Sequence, residues 1–287
     1  MSELDPVRLD PERLDPGRLD PSALPSRQFR NAIIFLVANV VFLAGSFAYL
    51  KINPILLFTE FHYVIDLMFE MMPPAFELYF AKWDLWVSVG ETFAMAFLGT
   101  FFGALIAFFL SLIAARNISP WPALSRVFRV VLGAQRAAPD FAIMMVIVVA
   151  VGFGPFAGTM ALVIGSTGMF GKLFADALES IDESQLEALR ALGAGHLHVI
   201  RYGALPQVIP SFIAHTLYLF EINVGGAVAL GVFGGGGLGF DLHIANSTLA
   251  YRDMLAYILL IVAMMVLTEK VSDFARRMIF RNSGTLK

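Results

Sequence analysis

The chain has 287 residues, 58% of them hydrophobic, with 27 Phe, only 15% charged residues and a mean hydropathy of +0.73. That is well beyond what a water-soluble domain of this size needs to fill a core. A net charge of −3 points to neither nucleic acid nor a polyanionic surface as a partner, and the absence of cysteine excludes a disulfide framework and thiolate chemistry.

The first thirty residues repeat with a period of five, Asp5-Pro6-Val7-Arg8-Leu9, Asp10-Pro11-Glu12-Arg13-Leu14, Asp15-Pro16-Gly17-Arg18-Leu19, then a decayed Asp20-Pro21-Ser22-Ala23-Leu24. Proline in every repeat removes a helix donor each time. Residues 1–30 are therefore expected as a disordered, extended tail, either an inert spacer or a contact for a partner or a headgroup surface. No short apolar stretch with a small-residue cleavage site precedes the first span, so a removed signal peptide is not indicated.

About 20 residues of helix cross ~30 Å of hydrocarbon, and six apolar stretches meet or approach that need. They run over residues 32–50, 87–114, 138–151, 156–174, 208–230 and 254–267. The third is short and contains Asp140, so its start is placed earlier. The fold class is thus an all-α membrane protein, a polytopic bundle of about six transmembrane helices, with 31–84 as a first span plus an outer segment and 85–280 as the core.

Residues 54–84 are apolar but interrupted by Glu60, His62, Asp66, Glu70, Pro73, Pro74 and Glu77, too many polar groups for a lipid-facing crossing. Asp66 and Glu70, four apart, share one helix face, which predicts a helix lying in the interface. It either packs on the bundle or meets a partner outside. Gly99 and Gly103, like Gly154 and Gly158, have the small-xxx-small spacing that lets helices approach closely. Arg136 and Asp140, spaced i,i+4 around Pro139, are placed to form an ion pair.

The apolar pattern breaks again at residues 179–206. Ser180 followed by Glu183 has capping-box spacing, and Gly193 supplies a left-handed stop after Leu192. On the helix between them Leu186, Leu189 and Leu192 share a stripe, while Glu187 and Arg190 are spaced to pair. His196 to Tyr202 reads as a second short helix ending before Pro206, which suits the first turn of the next span. By itself this insert is either an amphipathic loop on the membrane or a surface that faces a partner.

Glu91 and Glu221 each fall toward the outer end of a span, with Asn223 near Glu221. A carboxylate in hydrocarbon is costly unless it faces a cavity or a partner, so these groups are expected to point into the bundle, as structural ties or as the lining of an outer gate. Neither carboxylate suits an anionic ligand. Gly234, Gly236 and Gly239 formally satisfy G-x-G-x-x-G, yet no βαβ unit surrounds them. With Gly237 they read as a tight turn or re-entrant bend.

Basic residues collect in cytoplasmic segments. With the amino terminus inside, the inner segments hold Arg8, Arg13, Arg18, Arg27 and Arg30, then Arg116, Arg126, Arg129 and Arg136, then Lys172, Arg190 and Arg201, then Lys270, Arg276, Arg277, Arg281 and Lys287. Only Lys51, Lys82 and Arg252 are left outside. The asymmetry argues for six spans, with the 179–206 insert, both termini and the 281–287 tail in the cytoplasm.

The insert resembles the EAA loop of ABC-importer permeases, whose pattern is Glu-Ala-Ala, three residues, Gly, nine residues, Ile, one residue, Leu-Pro. It matches at Glu187, Ala188, Gly193, Leu205 and Pro206 and departs at Leu189 for the second Ala and Gly203 for Ile. Further stretches, Glu91 to Ala96, Ala114 to Asn117, Arg136 to Asp140, Gly152 to Pro155, Glu187 to Ala194, Leu205 to Pro210, Phe220 to Asn223 and Gly234 to Gly239, make residues 85–280 similar to the permease subunits of phosphonate-type ABC importers, the PhnE family. Gly225 stands where members of that family often carry a basic residue.

The resemblance implies a type I importer fold and a coupling loop of two short helices, including Arg190, docked on a separate ATPase. It also implies two such ATPase subunits carrying the ATP and Mg, an extracytoplasmic substrate-binding protein, a second copy of this chain, and a glycine run near the pathway. On that reading the chain itself holds no catalytic residue, metal or cofactor. The sequence agrees in having no phosphate-binding loop: Gly171-Lys172 is followed by Leu173 and preceded by Ser166 where Gly is required. Neither a His-Glu-x-x-His pair nor a protease-like arrangement around Ser166 is present. A permease for another small solute and a membrane channel are the alternatives.

Overall fold

The computed structural model describes residues 26–51, 53 and 55–281, so the repeats before Ser26 and the tail beyond Arg281 lie outside it. Among the described residues all regular structure is helical. The chain divides after Ile65 into two units.

The first unit holds α1 (Ser26–Tyr49), α2 (Leu56–Thr59) and the start of α3 (Phe61–Met71). α1 exposes Phe35, Val41 and Phe42 around its circumference, as a helix solvated by lipid does. Its polar side chains fold back on the helix: Asn39 Nδ2 donates to the Phe35 carbonyl and Ser46 Oγ to that of Phe42, each at 2.8 Å. These back-bonds reduce the polar surface that the helix shows to hydrocarbon.

The second unit continues through α4 (Leu78–Ala81), α5 (Trp83–Ala114), α6 (Pro122–Ala137), α7 (Asp140–Val151), α8 (Pro155–Glu179), α9 (Glu183–Ala191), α10 (His196–Val199), α11 (Leu205–Leu230), α12 (Gly237–Ser247) and α13 (Tyr251–Arg281). At its centre α8 packs along α5. A Cβ on Gly99 would lie 2.5 Å from the Leu162 Cβ, and one on Gly103 2.5 Å from the Ser166 Cβ, so the small residues bring the two backbones together as expected. Of the second glycine pair, Gly158 packs on Met95, whereas Gly154 precedes α8 at φ 138°, where an added Cβ would meet nothing within 4 Å, and donates its N–H to the Gly234 carbonyl at 2.9 Å.

Among the described residues five helices are long and apolar enough to cross a membrane: Phe29–Tyr49, Trp83–Ala114, Pro155–Glu179, His196–Gly235 and Tyr251–Ile279. A sixth is counted if the bent pair α6 and α7 is one crossing. The expected third span is therefore broken, its halves meeting at 89°. The cause is Pro139, which holds Ala138 extended at ψ 127°. Because the helix does not continue through it, the i,i+4 geometry fails: Arg136 and Asp140 do not pair, and the Asp140 carboxylate lies against Gly165.

Candidate functional site: the loop end and the buried polar contacts

The inter-helical insert is built from its caps. Asp182, one residue before α9, accepts the Ser184 N–H at 2.9 Å. Ser180 does not cap the helix as its spacing with Glu183 suggested; its hydroxyl turns back to the Ala177 carbonyl and ends α8. Hydrogen bonds from Ser184, through its hydroxyl and then its backbone N–H, hold the Asp182 carboxyl below the usual carboxylate range. At the other end Gly193 takes φ 80°, with Gly193 N–H bonded to the Arg190 carbonyl at 2.9 Å and Ala194 N–H to that of Leu189 at 3.1 Å. This is a Schellman stop, and a side chain at Gly193 would strain it.

The expected second short helix is not separate. α10 runs through a π-helical turn, Ile200–Ala204, directly into α11, because nothing between His196 and Leu205 supplies a stop. Pro206 follows directly on that π-helical turn, as the second residue of α11. The insert is thus one short helix folded back on the extended foot of a span. Gln207 fastens the two: its Oε1 accepts the Asp182 N–H at 3.1 Å and its Nε2 donates to the Gly203 carbonyl at 2.9 Å.

The leucine stripe divides by depth. Leu186 is 1% exposed and seals the underside, Leu189 is half-buried, and Leu192 is 84% exposed. Leu197, at 77%, and Tyr202 are also uncovered, leaving an apolar tip beside the exposed Glu187 and Ala188. Glu187 and Arg190 do not pair; the Arg190 guanidinium reaches instead to the Asn117 carbonyl, at 3.5 Å. Leu189 and Gly203, the two departures from the loop pattern, face each other.

In mid-bundle Asn223 is buried on α11 and donates from Nδ2 to Thr100 Oγ1 on α5 and to Ser166 Oγ on α8, both at 2.8 Å. Glu221 lies half a turn away and bonds Arg276 of α13 at 3.1 Å, which also reaches Asp273 at 3.5 Å. Glu221 is therefore not at the outer end of its span. Its partner Arg276 comes from α13, which runs antiparallel to α11.

Glu91 is at the opposite end of the bundle from the insert. Its Oε2 accepts the Gly237 N–H at 3.1 Å, and Thr92 Oγ1 accepts that of Leu238 at 3.0 Å. Together they cap α12, whose own cap residue, Gly236, has no side chain. The glycine run makes a sharp turn between α11 and α12: Gly234, Gly236 and Gly237 have φ of 99°, 80° and 64°, and Gly239 lies where a Cβ would meet the Val228 carbonyl. Beside α12, Asp84, Asp241, Asp253 and Lys82 line a cleft of about 440 Å³. The candidate residues thus form three separate places: loop end, middle and glycine turn.

The family described as binding-protein-dependent transport system inner membrane component matches residues 107–282. The putative phosphite transport system permease protein HtxC of Stutzerimonas stutzeri is 40% identical over 190 residues, 66% of this chain and 67% of its own. The phosphite transport system permease protein PtxC of the same organism is 37% identical, over 72% and 74%. The phosphate-import permease protein PhnE of Mycolicibacterium smegmatis is 36% identical over 81% of this chain, which spans 43% of that protein.

Among solved structures, the inward-facing MetNI methionine ABC transporter superposes with TM-score 0.60 and 24% identity over 69% of this chain and 96% of the other. A bacterial alginate ABC transporter superposes with TM-score 0.57 and 12% identity over 86% and 99%. Both likenesses concern the fold. The chain belongs to the binding-protein-dependent transport inner-membrane components, as an ABC-importer permease of the PhnE type. It is a multi-span membrane subunit rather than an enzyme, and members of this family work with an ATPase and a substrate-binding protein.

Proposed function

We propose that this permease carries phosphite, phosphonates or phosphate esters into the cytoplasm by alternating access, as one of two copies around a two-fold pathway. The substrate class rests on the relatives named for phosphite and phosphate transport. Both termini and α9 face the cytoplasm, where two ATPase subunits binding ATP and Mg dock on Glu187, Ala188 and the foot of α11 at Leu205 and Pro206, while Arg190 of the same coupling loop turns inward to the Asn117 carbonyl. The carrying observation is the uncovered tip of Leu192, at the end of α9, and Leu197, on α10, above the underside that Leu186 seals. Apolar side chains held rigidly in an aqueous region are what a partner surface covers.

The glycine turn at Gly234, Gly236, Gly237 and Gly239, tied to α5 through Glu91, is the outer gate element, and Asn223 and Glu221 are ties inside the bundle. The described carboxylates near the cleft repel an anion, so affinity for substrate resides on the extracytoplasmic binding protein. The test is reconstitution with the partner ATPase and binding protein. Glu187→Ala should insert normally yet lose ATP-driven uptake of radiolabelled phosphite, and unchanged uptake would sink the docking assignment. Competition by methylphosphonate and by glycerol phosphate at the binding protein ranks the substrates.

A further inference from the structure

The polar groups beneath α9 form a chain that the docking surface does not use. The Arg116 N–H donates to Glu179 Oε1 at 2.8 Å, which joins the end of α5 to the end of α8. Arg129 on α6 bonds the same Glu179 oxygen, approaches Asp176 at 3.6 Å and reaches the Ala114 carbonyl at 3.3 Å. Ser125 donates to that carbonyl as well, at 2.6 Å. A positive group over the terminal carbonyls of α5 complements that end of the helix. Asn117 then closes the joint by donating from Nδ2 to the Leu178 carbonyl at 2.7 Å, and Arg190 of α9 contacts the Asn117 carbonyl.

Two features mark this cluster as more than a structural tie. The Arg190 contact, at 3.5 Å, is at the outer limit of a hydrogen bond. Among the described residues, three buried side-chain polar atoms have no hydrogen-bond partner: Asn117 Oδ1 and Arg129 Nε in this cluster, and Arg276 Nε away from it. Buried polar groups are rarely left unpaired, and Arg190 brings five N–H donors to the side of Asn117.

We infer that Asn117 and Arg190 are the positioning pair through which movement of α9 reaches the α5–α8 joint. A small slide of α9 lets Arg190 donate to the unpaired Asn117 Oδ1, and Arg129 holds the joint rigid while it does so. The pair transmits the displacement and takes no part in holding the ATPase. This rests on the docking of α9 proposed above.

The test uses the full chain reconstituted with its ATPase and phosphite-loaded binding protein. It measures phosphite uptake per ATP hydrolysed, together with the ATPase retained on purification. Asn117→Ala and Arg190→Gln should retain the ATPase while uptake per ATP falls about ten-fold, with Arg190→Lys recovering most of it. Arg190 is exposed, so its variants decide the matter even if Asn117→Ala is not recovered from membranes. Wild-type uptake per ATP in Arg190→Gln overturns the inference, and so does loss of bound ATPase, which would make the pair part of the docking surface. Glu187→Ala separates the two readings. If it too behaves as wild type, docking of α9 has failed; if it is defective beside a normal Arg190→Gln, only the transmitting pair has.

Discussion

Leu189 fills the space that Gly203 leaves: a Cβ on Gly203 would lie 2.9 Å from Leu189 Cδ1 and 2.7 Å from Leu186 Cδ2. These are the two positions at which the insert departs from the EAA pattern, so the departures compensate. A larger side chain on α9 meets a glycine just before α11, at the two positions where the pattern has Ala and Ile.

Gly203→Ile alone should therefore crowd the junction, and Leu189→Ala alone should leave a gap. Full burial of a leucine makes its truncation cost roughly 2–5 kcal/mol, and the half-buried Leu189 falls at the low end. The double variant should recover the thermal stability that each single one loses. Additive losses in melting temperature of the detergent-solubilised protein would show that the two side chains do not share one space.

Asn223 joins three helices through two hydroxyls, so Asn223→Leu keeps the volume and removes the donors. Polar contacts between membrane helices average about 0.6 kcal/mol and reach about 1.7. The variant should lose stability in that range per bond, read from denaturant unfolding in micelles. Thr100→Val should cost less than Asn223→Leu, because one of the two bonds survives.

Asp182 gives α9 a dependence on acid. Its carboxyl is held below the ordinary range of about 3.9, so folding favours the ionised form. The contribution is complete above the unfolded value and is lost as the pH falls through the lowered one. Protection of the Ser184 amide against hydrogen exchange should decline over that acid window and be steady at neutral pH. Asp182→Asn, an equally good cap, should keep protection and abolish the decline.

The absence of cysteine makes orientation directly measurable. With α9 in the cytoplasm, a thiol at Leu192 should react with a membrane-impermeant maleimide only when the inner face is open to the reagent. One at Phe80, also exposed, should react in intact cells. The reverse pattern would invert the topology.

What the sequence discloses here is whatever depends on neighbours in the chain. Apolar length gave the long helices, and Gly193 announced the end of α9 through a conformation that glycine adopts most readily. Gly99 and Gly103 revealed a close helix contact by their spacing. The misses involve choices between competing groups or between distant elements. Asp182 and Ser180 were both capable of capping α9, and only the path of the chain out of α8 decides between them. Pro139 was visible, but whether it begins a span or bends one depends on whether a helix precedes it, and α6 does. Glu221 was placed by its position in α11, whereas its partner Arg276 is fixed by the antiparallel run of α13. Arg190 lay within pairing distance of Glu187 by helical spacing, yet its guanidinium turns to the Asn117 carbonyl, just beyond the end of α5, at 3.5 Å.

Gln207 has a mechanical consequence. By holding the Asp182 N–H with one end of its amide and the Gly203 carbonyl with the other, it shuts the base of the insert into a ring. A tether open at its base would convey only tension, slackening when pushed. A ring closed by an amide behaves as a crank: a force on the tip at Leu192, from any direction, turns the first turns of α11 along with it.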